Sequence, residues 1–313
     1  MRKPEVLLTG TYIEEEMAIL ERQFVVHRLW EASDAPEFLA EVGPRIRAIA
    51  TRGDLGADAA LMRELPNLEI VVCFGVGVDA IDLEHARARG IRVTNTPDVL
   101  TADVADMGMA LLLATARRIP AGDQHVRSGA WIQTPMPLTT SISGKHLGIL
   151  GLGRVGQAVA RRAAGFDMRV SYCNPQPRQG IALPWYPDAV SLAAEVDFLM
   201  VCASADASMR GLVNAPVLDA LGSKGTLINI ARGLIVDEAA LLQALRTRSI
   251  AAAGLDVFLN EPGIDPAFIE LDNVVLQPHN ASGTVETRSA IGRLMRENLL
   301  AHFSGQDLPT PVI

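Results

Sequence analysis

The chain has 313 residues, of which 49% are apolar and 20% charged, and a formal net charge of −8. Its length exceeds the usual domain of about 100–200 residues, so two globular domains are predicted. The acidic balance and the lack of a Lys/Arg-dense run argue against nucleic acid or an anionic membrane as partner, so any basic site must be local and suited to a small anion.

From the N-terminus onward, short apolar runs alternate with amphipathic segments, the pattern of α/β folds with parallel sheets. Strands are predicted at Val6–Thr9, Phe24–Val26, Ile46–Ala50, Leu68–Val72 and Ile91–Val93, with helices at Tyr12–Arg22 and Pro36–Val42 between them. This reads as a small doubly wound unit ending near Pro97-Asp98. Thr101–Arg117, dense in Ala, Leu and Met, is predicted as a long and mostly buried helix, with Thr101 and Asp103 in its cap region. A Pro- and Thr-rich loop, Thr134–Ser143, leads to a further strand ending at Leu150. Downstream strand candidates are Met168–Tyr172, Phe198–Cys202, Thr226–Ile230, Ala252–Leu255 and Val274–Leu276. A helix over Thr287–His302 and an extended tail from Leu308 to Ile313 close the chain. The order implies a dinucleotide-binding unit over residues 99–285, inserted into a first domain made of 1–98 and 286–313.

The strand ending at Leu150 runs directly into Gly151-Leu152-Gly153-Arg154-Val155-Gly156 and then a helical segment. A G-x-G-x-x-G between strand and helix is the dinucleotide fingerprint. Gly151 allows the tight turn, Gly153 lets the backbone approach a pyrophosphate, and Gly156 lets helix and strand pack closely. The helix N-terminus offers free N–H groups and a positive dipole end to the phosphates.

Ligands of open parallel sheets sit beyond the carboxyl ends of the strands, and three polar residues stand there. Arg232 follows Thr226–Ala231, Glu261 follows Gly254–Asn260, and His279 follows Val274–Pro278. Each alone has an ordinary explanation: Arg232 could pair with Asp237, Glu261 could be a solvated loop acid, and a lone His is more often structural. Together, downstream of a nucleotide loop, they form a coherent acid/base set. A fourth feature, Phe74-Gly75-Val76-Gly77-Val78-Asp79, also follows a strand and would expose the N–H groups of Val76 and Gly77 as an anion nest. Cys73, Cys173 and Cys202 are widely spaced, each in or beside an apolar run, which suggests buried structural thiols and a cytoplasmic chain. The segment Met1–Leu8 has no signal-peptide pattern, and no apolar run approaches the ~18 residues of a membrane helix.

The order of Gly75–Asp79, the central Gly-rich loop, Ile230-Ala231-Arg232-Gly233, Leu255–Phe258 with Glu261-Pro262, and Pro278-His279 resembles the D-isomer-specific 2-hydroxyacid dehydrogenases over nearly the whole chain. Asn95–Thr101 and Gly283–Arg288 are most similar to the glyoxylate, hydroxypyruvate and hydroxyphenylpyruvate reductase branch. The resemblance implies a Rossmann domain inserted into a flavodoxin-like substrate domain, and reduction of a small 2-oxo acid to the D-2-hydroxy acid without a metal. Hydride would come from the nicotinamide and a proton from His279, with Glu261 on the other ring nitrogen and Arg232 gripping and polarising the substrate. It places Asp256 by the nicotinamide amide and Thr101, Arg154, Val155, Cys202, Ile230 and Ala231 along the cofactor. Val76, Gly77, Arg232 and His279 are the expected substrate contacts.

NAD-binding units carry an acid about 20 residues past the glycines, on the ribose 2′-OH. Here Asn174 stands at that strand end, and Arg178 follows it. A neutral amide with a nearby guanidinium predicts NADP(H) as the preferred cofactor, with NAD(H) still usable. NADPH-using relatives usually carry Arg directly after the strand end, where this chain has Pro175. A loop with Trp131 and Met136 resembles one that reaches a partner subunit in related reductases. The Thr101–Arg117 helix is expected to bury against a second copy, giving a homodimer. Two other readings stay open: a nucleotide-sensing, corepressor-like binding protein, and a formate dehydrogenase of the same superfamily, against which Glu261 argues because that enzyme has Gln there.

Overall fold

A computed structural model describes residues 3–204 and 207–313, and they form two compact units, 1–100 with 282–313 and 101–281. Among the described residues no helix is long and apolar enough to cross a membrane.

The first unit holds β1 (Glu5–Leu8), β2 (Val25–Arg28), β3 (Ile46–Arg52), β4 (Ile70–Phe74) and β5 (Arg92–Thr94) in the order β2-β1-β3-β4-β5. All pairings in this sheet are parallel. Successive side chains of a strand face opposite sides, and both sides are buried here: Val6, Leu8, Ile70, Val72 and Phe74 enter one core, Leu7, Val71 and Cys73 the other. That is why these strands read as unbroken apolar runs rather than alternating ones. The helix Val285–Phe303 returns to this unit and buries Ile291, Met295 and Leu299 on the first of those faces. A buried Glu16–Arg296 ion pair ties it to the helix Glu14–Gln23. The tail pairs against β5, Val312 N–H donating to Val93 O at 2.7 Å.

The second unit contains β6 (His146–Leu150), β7 (Arg169–Cys173), β8 (Trp185–Tyr186), β9 (Phe198–Val201), β10 (Thr226–Asn229), β11 (Ala252–Leu255) and β12 (Val274–Leu276). Their order is β12-β11-β10-β9-β6-β7-β8, parallel throughout. The order reverses beside β6, so the β6 and β9 ends flank the crevice where such sheets bind nucleotides. The two faces are again both filled: Leu147, Ile149, Tyr172, Phe198, Met200 and Ile228 on one, Leu150, Leu199, Val201 and Leu227 on the other. β8 is a two-residue edge strand, too short to carry a periodic signal, and no sequence pattern anticipated it.

The long helix spans Thr101–Ala116. Its apolar residues Ala105, Met109, Leu111, Leu112 and Ala116 lie in the core of their own unit. Directly after this helix, Ile119, Val126, Trp131, Ile132 and Leu138 expose apolar side chains within a short segment.

Candidate active site

The turn after β6 is built from its glycines. Gly151 has φ +97, a conformation that L side chains rarely adopt, and a Cβ there would meet the Ala203 backbone at 2.5 Å. A Cβ on Gly156 would collide with the Gly151 carbonyl, so the helix Arg154–Ala164 packs onto the turn only with glycine there. At Gly153 the same construction meets nothing within 4 Å. Gly151 and Gly156 are thus required by packing inside the protein, whereas Gly153 keeps open space at the helix N-terminus, where a pyrophosphate fits. Thr101 and Arg154 each begin a helix of this unit, and Val155 is half-buried.

The end of β7 is bound to this turn. Leu152 N–H donates to Asn174 Oδ1 (2.7 Å), and Arg178 Nη1 donates to Leu152 O (3.1 Å). Asn174 therefore uses its oxygen within the protein and keeps its NH2, a donor, for a ligand. Arg178 is exposed as a residue, yet its guanidinium lies over the Gly-rich turn rather than in solvent. This donor set fits the acceptor oxygens of a 2′-phosphate. Cys173 ends β7 and Cys202 directly follows β9, the strands on either side of β6. Burial pushes the Cys173 thiol up to about 11 and the Cys202 thiol up to about 12, so both stay protonated at neutral pH. Cys202 is half-buried rather than fully enclosed.

The three polar residues read from the strand ends follow β10, β11 and β12, which are neighbours in the sheet. His279 Nδ1 and Glu261 Oε2 are 2.5 Å apart. Glu261 Oε1 accepts Phe258 N–H at 2.7 Å, so both carboxylate oxygens are fixed. Burial acts to raise the Glu261 pKa, but the hydrogen bonds from His279 and Phe258 N–H outweigh it. With the His279 and Arg232 charges they hold the carboxyl below its ordinary range. A carboxyl depressed in the folded state stabilises the protein above its ordinary pKa, and that stabilisation is lost as pH falls through the depressed value. Asp237, the ordinary partner considered for Arg232, caps the helix Glu238–Thr247 and accepts Ala240 N–H at 3.1 Å.

One supporting residue escaped the sequence reading, and a second has a role that the sequence did not assign to it. Asn229, 1% exposed at the end of β10, accepts Ala231 N–H (3.1 Å) and donates to Arg232 O (3.0 Å), so one side chain shapes the Ile230–Arg232 turn. Its signal was an amide inside an otherwise apolar run. Ile230 and Ala231 are themselves buried. Asp256, expected at the nicotinamide, is fully buried and spends its carboxylate on the His279 loop, accepting Asn280 N–H (2.8 Å) and Ala281 N–H (3.0 Å). Its carbonyl accepts His279 N–H at 2.7 Å. Burial raises its pKa despite those donors. His279 has φ +50, a left-handed conformation costly for a non-glycine residue, and these three bonds hold it there.

Gly233 is the tightest glycine of these loops. A Cβ there would overlap the Phe258 carbonyl, where the loops after β10 and β11 touch. Gly233→Ala is expected to separate Arg232 from Glu261 and to lower the melting temperature by several degrees, measurable by calorimetry. Unchanged melting and turnover would show that the two loops move apart freely.

In the first unit, the turn after β4 is held by Gly75 N–H to Thr96 Oγ1 (3.0 Å) and Thr96 N–H to Gly75 O (2.9 Å). Asn95 Nδ2 and the Cys73 thiol donate to the carbonyls of Val76 and Gly77 (2.8 and 3.2 Å). Val76, in this turn, is 41% exposed.

Residues 109–281 match the model of the D-isomer specific 2-hydroxyacid dehydrogenase NAD binding domain. The chain is 47% identical to glyoxylate/hydroxypyruvate reductase A of Arabidopsis thaliana, over 97% of this chain and 96% of that protein. It is 46% identical to hydroxyphenylpyruvate reductase of Plectranthus scutellarioides, over 97% and 96%. The crystal structure of the NADPH-dependent glyoxylate/hydroxypyruvate reductase of Sinorhizobium meliloti, in complex with NADP and malonate, superposes with a TM-score of 0.94 at 44% identity. It covers 99% of this chain and 97% of that one. This chain belongs to the D-isomer-specific 2-hydroxyacid dehydrogenase family, in the branch that holds the glyoxylate/hydroxypyruvate reductases.

Proposed function

We propose that the chain reduces a small 2-oxo acid, of the glyoxylate or hydroxypyruvate type, to the D-2-hydroxy acid, preferring NADPH to NADH. The observation that carries this is the His279–Glu261 pair on the sheet that also carries the Gly-rich turn. The bound cofactor supplies hydride to the carbonyl carbon. His279, through Nε2, gives the proton that the ketone oxygen gains. Glu261 holds Nδ1, so the imidazole is correctly turned, with Nε2 free of this contact, before substrate arrives. Arg232, on the turn shaped by Asn229, binds the substrate by charge-assisted hydrogen bonds and polarises its carbonyl. The Val76–Gly77 amides are assigned to the substrate carboxylate.

Asn174 and Arg178 support the cofactor preference: both present donors, and neither is an acid that would repel a 2′-phosphate. A homodimer is proposed with this activity, since Ile119, Val126, Ile132 and Leu138 leave apolar surface exposed within a short segment. A cytoplasmic location is proposed as well, in keeping with three free thiols. The test of function is a panel of 2-oxo acids, glyoxylate, hydroxypyruvate and an arylpyruvate among them, assayed with NADPH and NADH in parallel. Turnover of the small acids with a lower KM for NADPH is the expected outcome. NADPH binding without turnover of any acid would favour a nucleotide-sensing protein instead.

Glu261→Gln keeps an acceptor for His279 but removes the charge. It is expected to lower kcat/KM by about 10- to 100-fold, because the imidazole loses the charged partner that fixes its orientation. A wild-type kcat/KM in Glu261→Gln would remove Glu261 from this role.

A further inference from the structure

The segment after β7 reads Asn174-Pro175-Gln176-Pro177-Arg178, and its central residues are exposed. Alternating prolines fix two of its φ angles, so the segment is stiff, but stiffness alone does not aim it. Two side chains from outside the segment do that. The hydroxyl of Tyr172, itself 1% exposed, accepts Arg178 N–H at 2.8 Å. The indole Nε1–H of Trp185, on the edge strand β8, donates to Asn174 O at 3.0 Å. Within the segment, the Asn174 side chain accepts the Leu152 N–H and the Arg178 side chain donates to the Leu152 carbonyl. The backbone is thus pinned at both ends, and both of its donor side chains are brought to the Gly-rich turn.

We propose that Tyr172 and Trp185 are positioning residues for cofactor discrimination: they aim Arg178 and Asn174 at the 2′-phosphate of NADPH while touching no part of the cofactor. The proposal rests on the NADPH preference given above. The Tyr172 ring lies in the apolar core with Phe198 and Met200, so a phenyl ring satisfies the packing. What the hydroxyl adds is one hydrogen bond, to the peptide that carries Arg178. A core residue with only a packing role would gain nothing from it. This arrangement also accounts for discrimination without Arg directly after the strand end, where Pro175 stands: the guanidinium arrives four residues past Asn174 and is set by the Tyr172 anchor instead.

The experiment uses the full-length protein and measures dissociation constants for NADPH and NADH by fluorescence titration, together with kcat at saturating cofactor. The variants are Tyr172→Phe, Trp185→Phe, Arg178→Met and the Tyr172→Phe/Arg178→Met pair. Tyr172→Phe is expected to weaken NADPH about fivefold, in line with one lost hydrogen bond, with NADH affinity and kcat within about twofold of wild type. Trp185→Phe is expected to shift the ratio the same way. In the Arg178→Met background, Tyr172→Phe is expected to have no further effect, because it acts through that arginine. An unchanged NADPH/NADH ratio in both single variants overturns the proposal. So does an equal loss for both cofactors, which marks a merely structural role, or full additivity with Arg178→Met. Equal affinity for the two cofactors in the wild type would instead defeat the preference itself, before any variant is made.

Discussion

Replacing His279 should lower kcat by about 100- to 10,000-fold, the usual worth of a positioned general acid, and leave NADPH affinity within about twofold. The choice of replacement matters because the residue sits at φ +50. Alanine in the left-handed region costs roughly 1–2 kcal/mol, whereas asparagine tolerates it. His279→Asn therefore separates the lost proton donor from local unfolding of the Asp256-bound loop, and His279→Ala compounds the two. Single-turnover rates with saturating NADPH and hydroxypyruvate, beside a fluorescence titration of NADPH, make the distinction. Wild-type turnover in His279→Asn would exclude this imidazole from the chemistry.

The second large effect is expected at Asn174. Because Asn174 Oδ1 already accepts Leu152 N–H at 2.7 Å, aspartate can keep that bond with one oxygen and present the other to a ligand. The change replaces a donor with an anionic acceptor and leaves the backbone alone. An added charge near a phosphate is worth some 2–3 kcal/mol at a protein surface, so NADPH should weaken by about 100-fold. NADH should hold or improve, since a carboxylate suits a ribose 2′-OH. The check is kcat/KM for both cofactors in Asn174→Asp; an unmoved ratio would place discrimination elsewhere.

Much of the fold was legible because both sheets are buried on both faces, so their strands stand out as apolar runs cut by Gly, Pro and polar residues. The glycines of the turn after β6 were legible from their spacing between strand and helix, although the close approach at Gly151 is to the Ala203 backbone, distant in sequence. Arg232, Glu261 and His279 were legible as polar residues just past three strands. Their support was not. Asp256 holds the loop after β12, which reaches it only because β11 and β12 are adjacent, and Asn229 shapes the turn after its own strand through backbone bonds that its identity alone does not announce. Nor does an apolar helix announce its partner: Ala105, Met109, Leu111, Leu112 and Ala116 are buried in their own unit, while later residues such as Ile132 stay exposed. Sequence density reports that a face will be buried, not against what.

The central claim is that His279 and Arg232 act on one carbonyl while it receives hydride. It is tested most directly by reducing hydroxypyruvate with NADPH deuterated at the transferable C4 position and analysing the product. The expected result is the D-hydroxy acid with deuterium on C2 in the wild type and none formed at a comparable rate in His279→Asn. An L-product, or a product without the label at C2, would contradict it.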